Sequence, residues 1–104
     1  MSDFQAAISL ADLKEGELVP ARVAGVLLAF YLVDGQPYCT EDFCTHDENQ
    51  LSDGGWVEGD EVECAYHGGR FNLKTGEPAG LPAVEAIRSY PVEVRDGQVY
   101  VSLT

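Results

Sequence analysis

The residues best suited to chemistry in this chain form two short groups, Cys44-Thr45-His46 and Cys64-Ala65-Tyr66-His67. Of two histidines and three cysteines in all, both histidines and two cysteines fall in these groups. A lone histidine is more often a core or surface residue than a ligand, and a lone cysteine is usually a small buried hydrophobe. Chance would seldom place every histidine of a chain within three residues of a cysteine. We therefore interpret four residues as ligands of one metal centre: Cys44, His46, Cys64 and His67.

The spacing of these residues bears on the kind of metal centre. Thiolate and imidazole ligands together suit zinc, copper or an iron–sulfur cluster. Structural zinc sites typically pair cysteine with cysteine and histidine with histidine, whereas each group here contains one of each. In an extended loop Cys44 and His46 point to the same side while Thr45 turns away. Such a mixed pair suits a two-iron cluster, in which one iron takes the thiolates and the other takes the imidazoles.

With these residues in view, the sequence resembles the Rieske [2Fe–2S] proteins over nearly its whole length. It looks most like the small ferredoxins of bacterial multicomponent aromatic-ring dioxygenases. The matching segments are Cys44-Thr45-His46, Leu51 to Gly55, Glu63 to Asn72, and Thr75-Gly76. One departure is Ala65, where the family commonly carries proline. The resemblance implies one Rieske-type [2Fe–2S] cluster held by Cys44, His46, Cys64 and His67.

The resemblance also implies a function. The chain would be an electron carrier that takes single electrons from a flavin-dependent ferredoxin reductase and passes them to a terminal Rieske oxygenase in aromatic hydrocarbon catabolism. We expect no enzymatic activity of its own, because no nucleophile or acid–base pair is visible in the sequence. Two alternatives stay open at this point. One is the Rieske-like small subunit of an assimilatory nitrite reductase, and the other, from a different class, is a zinc-stabilised interaction module.

Composition limits the possible partners. The chain has 104 residues, which predicts a single domain over 1–104, and 45% hydrophobic residues, which favours a folded core. Eighteen acidic residues against six basic ones give a formal net charge of −12. This charge argues against nucleic acid, whose recognition depends on Lys and Arg, and against an anionic membrane surface. Basic protein surfaces are the complementary partners.

The sequence predicts a cytoplasmic protein without a membrane segment. The start, Met1 to Phe4, has no positive charge or long apolar stretch, so no secretory signal is visible. The longest apolar run, Val26 to Val33, has eight residues and is too short to cross a membrane. An odd cysteine count argues against a disulfide framework. We expect a monomer.

Short apolar runs with frequent turn signals predict an all-β fold, a sandwich or small barrel with the ligand loops at hairpin tips near one end. The resemblance makes this a Rieske-type antiparallel β-sandwich with a smaller cluster-binding subdomain formed by the two ligand loops. Ile8 to Leu13 suggests one helical turn, and Val26 to Val33 suggests a central strand because it is apolar on both faces. The predicted strands span 18–23, 26–33, 36–40, 56–57, 61–63, 71–73, 89–95 and 98–103.

Other residues receive more ordinary interpretations. We expect Trp56 and Phe71 to pack in the core and Cys39 to be a structural thiol at a strand end. Glu41-Asp42 and Asp47-Glu48 flank the first ligand group, where we expect solvated charge, with partner docking as the alternative.

The resemblance also predicts the redox potential. High-potential respiratory Rieske proteins carry a disulfide between the ligand loops, and a serine and a tyrosine whose hydroxyls donate to sulfur. None of these groups is present at the matching positions of this chain, which are Asn49, Tyr66, Gly69 and Phe71. Fewer donors to sulfur stabilise the reduced state less. We therefore expect a midpoint potential in the lower part of the Rieske range of about −150 to +300 mV.

Overall fold

The computed structural model describes residues 4–42, 50–65, 69–80 and 86–103. Within these ranges the chain is nearly all-β, as predicted, with one short 3₁₀ turn at Leu10–Asp12. No helix in the same ranges is long and apolar enough to cross a membrane. The strands in chain order are β1 Phe4–Ser9, β2 Leu18–Val23, β3 Val26–Val33, β4 Gln36–Glu41, β5 Trp56–Glu58, β6 Glu61–Glu63, β7 Arg70–Asn72, β8 Pro78–Gly80, β9 Ser89–Tyr90, β10 Val92–Arg95 and β11 Gln98–Ser102.

The strands form three antiparallel sheets. The outer sheet has the order β1-β11-β10, and the central sheet has the order β2-β3-β4-β9. The third sheet, which we call the ligand-loop sheet, has the order β5-β6-β7-β8. The predicted sandwich with a smaller subdomain is thus confirmed, with the ligand-loop sheet as the smaller part.

Strand β3 separates two hydrophobic cores. Leu28 and Phe30 are fully buried and pack in a cluster with residues of β11 in the outer sheet. Ala29 and Tyr31 are also fully buried, but they pack in a second cluster with residues of β6 and β7. Successive side chains of a strand point to opposite faces, so this strand needs apolar residues at every central position. The prediction of a central strand from its unbroken apolar run is confirmed.

Two tight hairpin turns also match their sequence signals. In the β3–β4 turn, Asp34 and Gly35 have φ of 52° and 78°, which is the left-handed geometry that a two-residue hairpin favours. The carboxylate of Glu15 accepts both turn N–H groups, from Asp34 at 2.8 Å and from Gly35 at 2.7 Å. The β10–β11 turn at Asp96-Gly97 has the same left-handed pair.

Other local predictions need correction. The segment from Phe4 to Ser9 forms β1 and pairs with β11, although the sequence indicated only a helical turn nearby. That turn exists as the 3₁₀ turn, where the Ser9 hydroxyl accepts the Ala11 N–H at 3.3 Å. The second ligand group follows β6 and precedes its paired neighbour β7, which confirms a hairpin. The first lies between β4 and β5, which belong to different sheets, and its own residues lie outside the described ranges, so a hairpin tip stays a prediction there.

Candidate metal centre

The structure places one of the four sequence-predicted ligands. Cys64 directly follows β6 and is fully buried. Cys44, His46 and His67 lie outside the described residues. The described part of the chain contains no group of three or more His, Cys, Asp or Glu residues that could hold a metal ion. The ligand set therefore stays a prediction, and the described residues give the framework from which the ligand segments arise.

The segment that contains His67 is closed at its base by the backbone. The Cys64 N–H donates to the Gly69 carbonyl oxygen at 2.8 Å, directly beyond the last β6–β7 pair, Glu63 with Arg70. Cys64 belongs to the buried cluster that Val62 and Phe71 also share. The sulfur at position 64 is thus held in an apolar environment that excludes water.

The segment that contains Cys44 and His46 is closed at its base by a side chain. The Asp42 carboxylate accepts the Ser52 N–H at 2.8 Å, the Ser52 hydroxyl at 2.5 Å and the Gln50 side-chain amide at 3.1 Å. Asp42 is fully buried, so its prediction as a solvated charge is wrong. The neighbouring Glu41 accepts the Arg88 backbone N–H at 3.0 Å.

The bases of the two ligand segments lie against each other. Gly55 donates its N–H to the Leu51 carbonyl at 3.0 Å. A Cβ at position 55 would collide with that carbonyl oxygen and come within 2.8 Å of the Glu63 oxygen, so only glycine fits. A Cβ at Gly54 would lie 3.2 Å from the Cβ of Ala65. Both predicted ligand segments therefore start from adjacent points of the fold.

These observations fit a Rieske-type [2Fe–2S] cluster. Two thiolates and two imidazoles are the donor set in which histidines replace cysteines on one of the two irons. The described thiolate position is buried, as an iron–sulfur ligand in a water-poor site needs to be. The close backbone approach at Gly54 and Gly55 brings the bases of the two ligand segments together without an intervening side chain.

Cys39 lies apart from the predicted centre. It is almost completely buried within β4, in the cluster between the central and outer sheets, whereas Cys64 lies in the cluster on the other face. Burial raises the pKa of the Cys39 thiol well above its ordinary value, so the protonated form dominates. Both features agree with the prediction of a structural thiol.

The alternation of β4 is the signal that could have identified Asp42. Tyr38, Thr40 and Asp42 are two residues apart, which places them on one face of the strand. Thr40 is buried on that face, where its hydroxyl lies 2.7 Å from the Tyr31 hydroxyl. Burial raises the pKa of Tyr31, and the nearby Asp42 charge raises it further. Continuing the alternation past Thr40 leads inward to Asp42.

Trp56 is not a core residue, in contrast to its prediction. It opens β5 and is 43% exposed, whereas Phe71 is fully buried as expected. An open cavity of about 400 Å³ lies beside Trp56 and is also lined by Glu17, Leu18 and Ser52. An exposed aromatic side chain therefore lies next to the base of the first ligand segment.

The ligand-loop sheet offers few unpaired positive charges. Arg70 Nε lies 2.7 Å from Glu63, and its guanidinium also reaches Glu61 at 3.5 Å and Glu58 at 4.0 Å. The hydrogen bond to Glu63 is the main reason that the pKa of Arg70 is raised. Lys74 pairs with Asp60 at 3.3 Å. The basic side chain of this sheet and the one in its β7–β8 turn are thus both engaged locally, which leaves this surface acidic.

Comparisons with known proteins agree with this framework. The family model described as Rieske [2Fe-2S] domain matches residues 3–91. The ferredoxin component of the p-cumate 2,3-dioxygenase system of Pseudomonas putida is 38% identical over 104 residues, covering 99% of this chain and 88% of the relative. Sphingomonas yanoikuyae B1 ferredoxin superimposes with a TM-score of 0.91 at 34% identity, covering 97% of this chain and 99% of that one. A chain from the complex of reduced oxygenase and oxidised ferredoxin in carbazole 1,9a-dioxygenase gives a TM-score of 0.87 at 39% identity, with 98% and 94% covered.

Proposed function

The chain belongs to the Rieske [2Fe–2S] family, and on that premise we propose that it delivers single electrons to the terminal oxygenase of an aromatic-ring dioxygenase system. It is a ferredoxin component, an electron carrier and not the catalytic enzyme, as are the relatives that it matches. The observation that carries the proposal is the match to such a component over 99% of this chain and 88% of the relative.

The ligands in this proposal are Cys44 and Cys64 on one iron and His46 and His67 on the other. The mixed spacing supports the assignment, and so does the contact between the bases of the two segments at Gly54 and Ala65. When bound, a cluster of this type accepts and releases one electron at a time. The buried position of Cys64 excludes water from its sulfur, and the Cys64–Gly69 hydrogen bond fixes the base of the segment that carries His67.

The partners in this proposal are a flavin-dependent ferredoxin reductase that supplies electrons and a terminal Rieske oxygenase that receives them. The solved carbazole 1,9a-dioxygenase complex, in which oxygenase and ferredoxin are bound together, supports the second of these. A net charge of −12 supports docking to basic surfaces. We further propose a cytoplasmic monomer. We also propose a single domain over residues 1–104, which the pairing of β1 with β11 supports because it joins strands near the two ends of the chain.

The cofactor assignment is tested by analysis of the purified protein. We expect two irons and two acid-labile sulfides per chain, and a Rieske-type resonance signal after reduction. Replacement of any one of the four proposed ligands should remove or alter this signal. Cys39→Ala is the matched control, because Cys39 is buried against the opposite face of the central sheet and should leave the cluster intact. Zinc without labile sulfide in freshly prepared protein would contradict the assignment.

Electron delivery is tested separately with a terminal Rieske oxygenase of an aromatic-ring dioxygenase system as the electron acceptor. In stopped-flow mixing, the reduced ferredoxin should be reoxidised by the oxygenase and should support product formation when the reductase and its nicotinamide cofactor are added. A sulfite or nitrite reductase in place of the oxygenase should not reoxidise it at a comparable rate. A holoprotein that reduces no oxygenase would contradict the proposed function while leaving the cofactor assignment intact.

A further inference from the structure

Asp42 is the one carboxylate that the described structure buries completely. All six Lys and Arg residues of the chain lie in the described ranges, and none of them forms an ion pair with Asp42 there. Its contacts in those ranges are neutral donors, the two groups of Ser52 and the side-chain amide of Gln50. A carboxylate can accept from all three donors at once. Burial of a charge without a cation is costly, so the arrangement needs a reason.

The position of these contacts along the chain suggests the reason. Asp42 is the last described residue before the first ligand segment, and Gln50 is the first described residue after it. The carboxylate therefore joins the two ends of the segment 43–49, which contains Cys44 and His46. Asp42 is fixed in turn by its own N–H, which donates to the Leu27 carbonyl of β3 at 3.1 Å. The base of the segment is thus tied to the central sheet through one side chain.

Asp42 lies two residues before a predicted ligand, Cys44, in the chain. Two residues span at most about 7 Å of chain, so the Cα atoms of Asp42 and Cys44 are separated by no more than that. A buried negative charge acts through a medium of low dielectric, where its field is screened much less than at the surface. Such a charge opposes the addition of an electron to a neighbouring redox centre.

From these contacts we propose that Asp42 is a positioning residue with two effects on the cluster. Its hydrogen bonds close the first ligand segment, and its buried charge holds the midpoint potential low. The inference deepens the proposed function and depends on the assignment of Cys44 and His46 as ligands.

Two substitutions separate the two effects. Ser52→Ala removes the hydroxyl donor, retains the Ser52 N–H bond and leaves the Asp42 charge in place. Because a buried acceptor then loses one of its partners, this variant should shorten the half-life of the cluster absorbance in the purified holoprotein by about tenfold. It should not raise the midpoint potential. Asp42→Asn removes the charge but keeps a side-chain oxygen that accepts the Ser52 N–H. It should raise the midpoint potential and shorten the half-life less than Asp42→Ala.

The matched control is Glu17→Gln. Glu17 is exposed and lines the same cavity as Ser52, so its removal deletes one charge near the same base without touching the Asp42 contacts. Solvent screens this charge, so both readouts should stay at wild-type values. Equal potentials in the wild type and Asp42→Asn, or an unchanged half-life in Ser52→Ala, would overturn the proposal. Both readouts are measured without any oxygenase. A failure of this proposal can therefore be distinguished from a failure of the proposed electron delivery.

Discussion

Gly54 lies against Ala65 so closely that a Cβ at position 54 would be 3.2 Å from the Ala65 Cβ. Gly54 also has φ of 86°, a conformation that side chains of L-residues rarely adopt. This contact joins the bases of the two predicted ligand segments. We expect Gly54→Ala to push the base of the second segment away and to shorten the half-life of the cluster absorbance.

A matched variant separates this contact from backbone strain. Gly25 has a similar φ of 81°, but a Cβ there would meet nothing within 4 Å. Both alanine variants carry the left-handed strain of about 1–2 kcal/mol, so only Gly54→Ala should show the additional loss of cluster. Adding Ala65→Gly to Gly54→Ala should restore the lifetime. Equal lifetimes for Gly25→Ala and Gly54→Ala would show that the contact is unimportant.

The second prediction concerns the midpoint potential. Phe71 and Gly69 offer no side-chain hydroxyl, and Phe71 is fully buried in the cluster that also contains Cys64. We expect protein-film voltammetry at neutral pH to give a midpoint in the lower part of the Rieske range of about −150 to +300 mV. Phe71→Tyr should raise it, because a hydroxyl that donates to sulfur stabilises the reduced state. A wild-type midpoint potential of roughly +200 mV or more would contradict the prediction that this protein lies in the lower part of the range.

Much of the fold could be predicted because its signals are local. The unbroken apolar run of β3 indicated a strand buried on both faces, and the structure shows why, since each face packs in a separate core. Asp34-Gly35 and Asp96-Gly97 specified their hairpins through residues that accept a left-handed backbone. Strand β1 escaped prediction because its main support is pairing with β11, at the far end of the chain.

The candidate site was predicted from residue types, whereas its supporting contacts were not. The cysteine and histidine spacing indicates the ligands, whereas the pair Glu41-Asp42 by itself looks like solvated charge, and only the alternation of β4 hints that Asp42 points inward. That depends on donors from Gln50 and Ser52, which only the fold brings to Asp42. The prediction for Trp56 failed in the opposite direction, because a residue that was expected in the core lies partly at the surface. An aromatic residue in a strand suggests a core position, but β5 is an edge strand and leaves Trp56 partly exposed.

The third prediction concerns the effect of salt on docking. The net charge of −12 should speed association with basic partners, so electron delivery should slow as the Debye length falls to about 10 Å near 0.1 M salt. Replacing Asp47 by Asn and Glu48 by Gln should weaken this dependence, because they flank the proposed ligand His46. Stopped-flow reoxidation by the oxygenase across an ionic-strength series measures the effect.

The control for the ionic-strength experiment replaces two acidic residues that lie away from the first ligand segment. Asp34 and Asp96 lie in hairpin turns with φ near 50°, which asparagine also tolerates. Asp34 is at the other end of β4 from Asp42, about 20 Å away at the rise of a strand. The variant with Asn at both positions should retain most of the salt dependence. A wild-type rate that stays flat or rises with salt would show that apolar contact governs docking.

The last prediction concerns the exposed aromatic side chain beside the first ligand segment. Trp56 and Val94 are the large hydrophobic residues that remain exposed in the described part of the chain, at 43% and 41%. Trp56 pairs with Glu63, the residue before Cys64, whereas Val94 lies in the outer sheet. Tryptophan is enriched among residues that dominate binding energy, and it can stack with a cationic side chain of a basic partner. Trp56→Ala should therefore weaken binding to the oxygenase by about tenfold, while Trp56→Phe should retain part of the affinity and Val94→Ala should retain all of it.

Cluster content and midpoint potential should be unchanged in all three variants, and titration of the oxygenase with each holoprotein measures the affinity. Equal affinities for Trp56→Ala and Val94→Ala would mean that the oxygenase binds elsewhere.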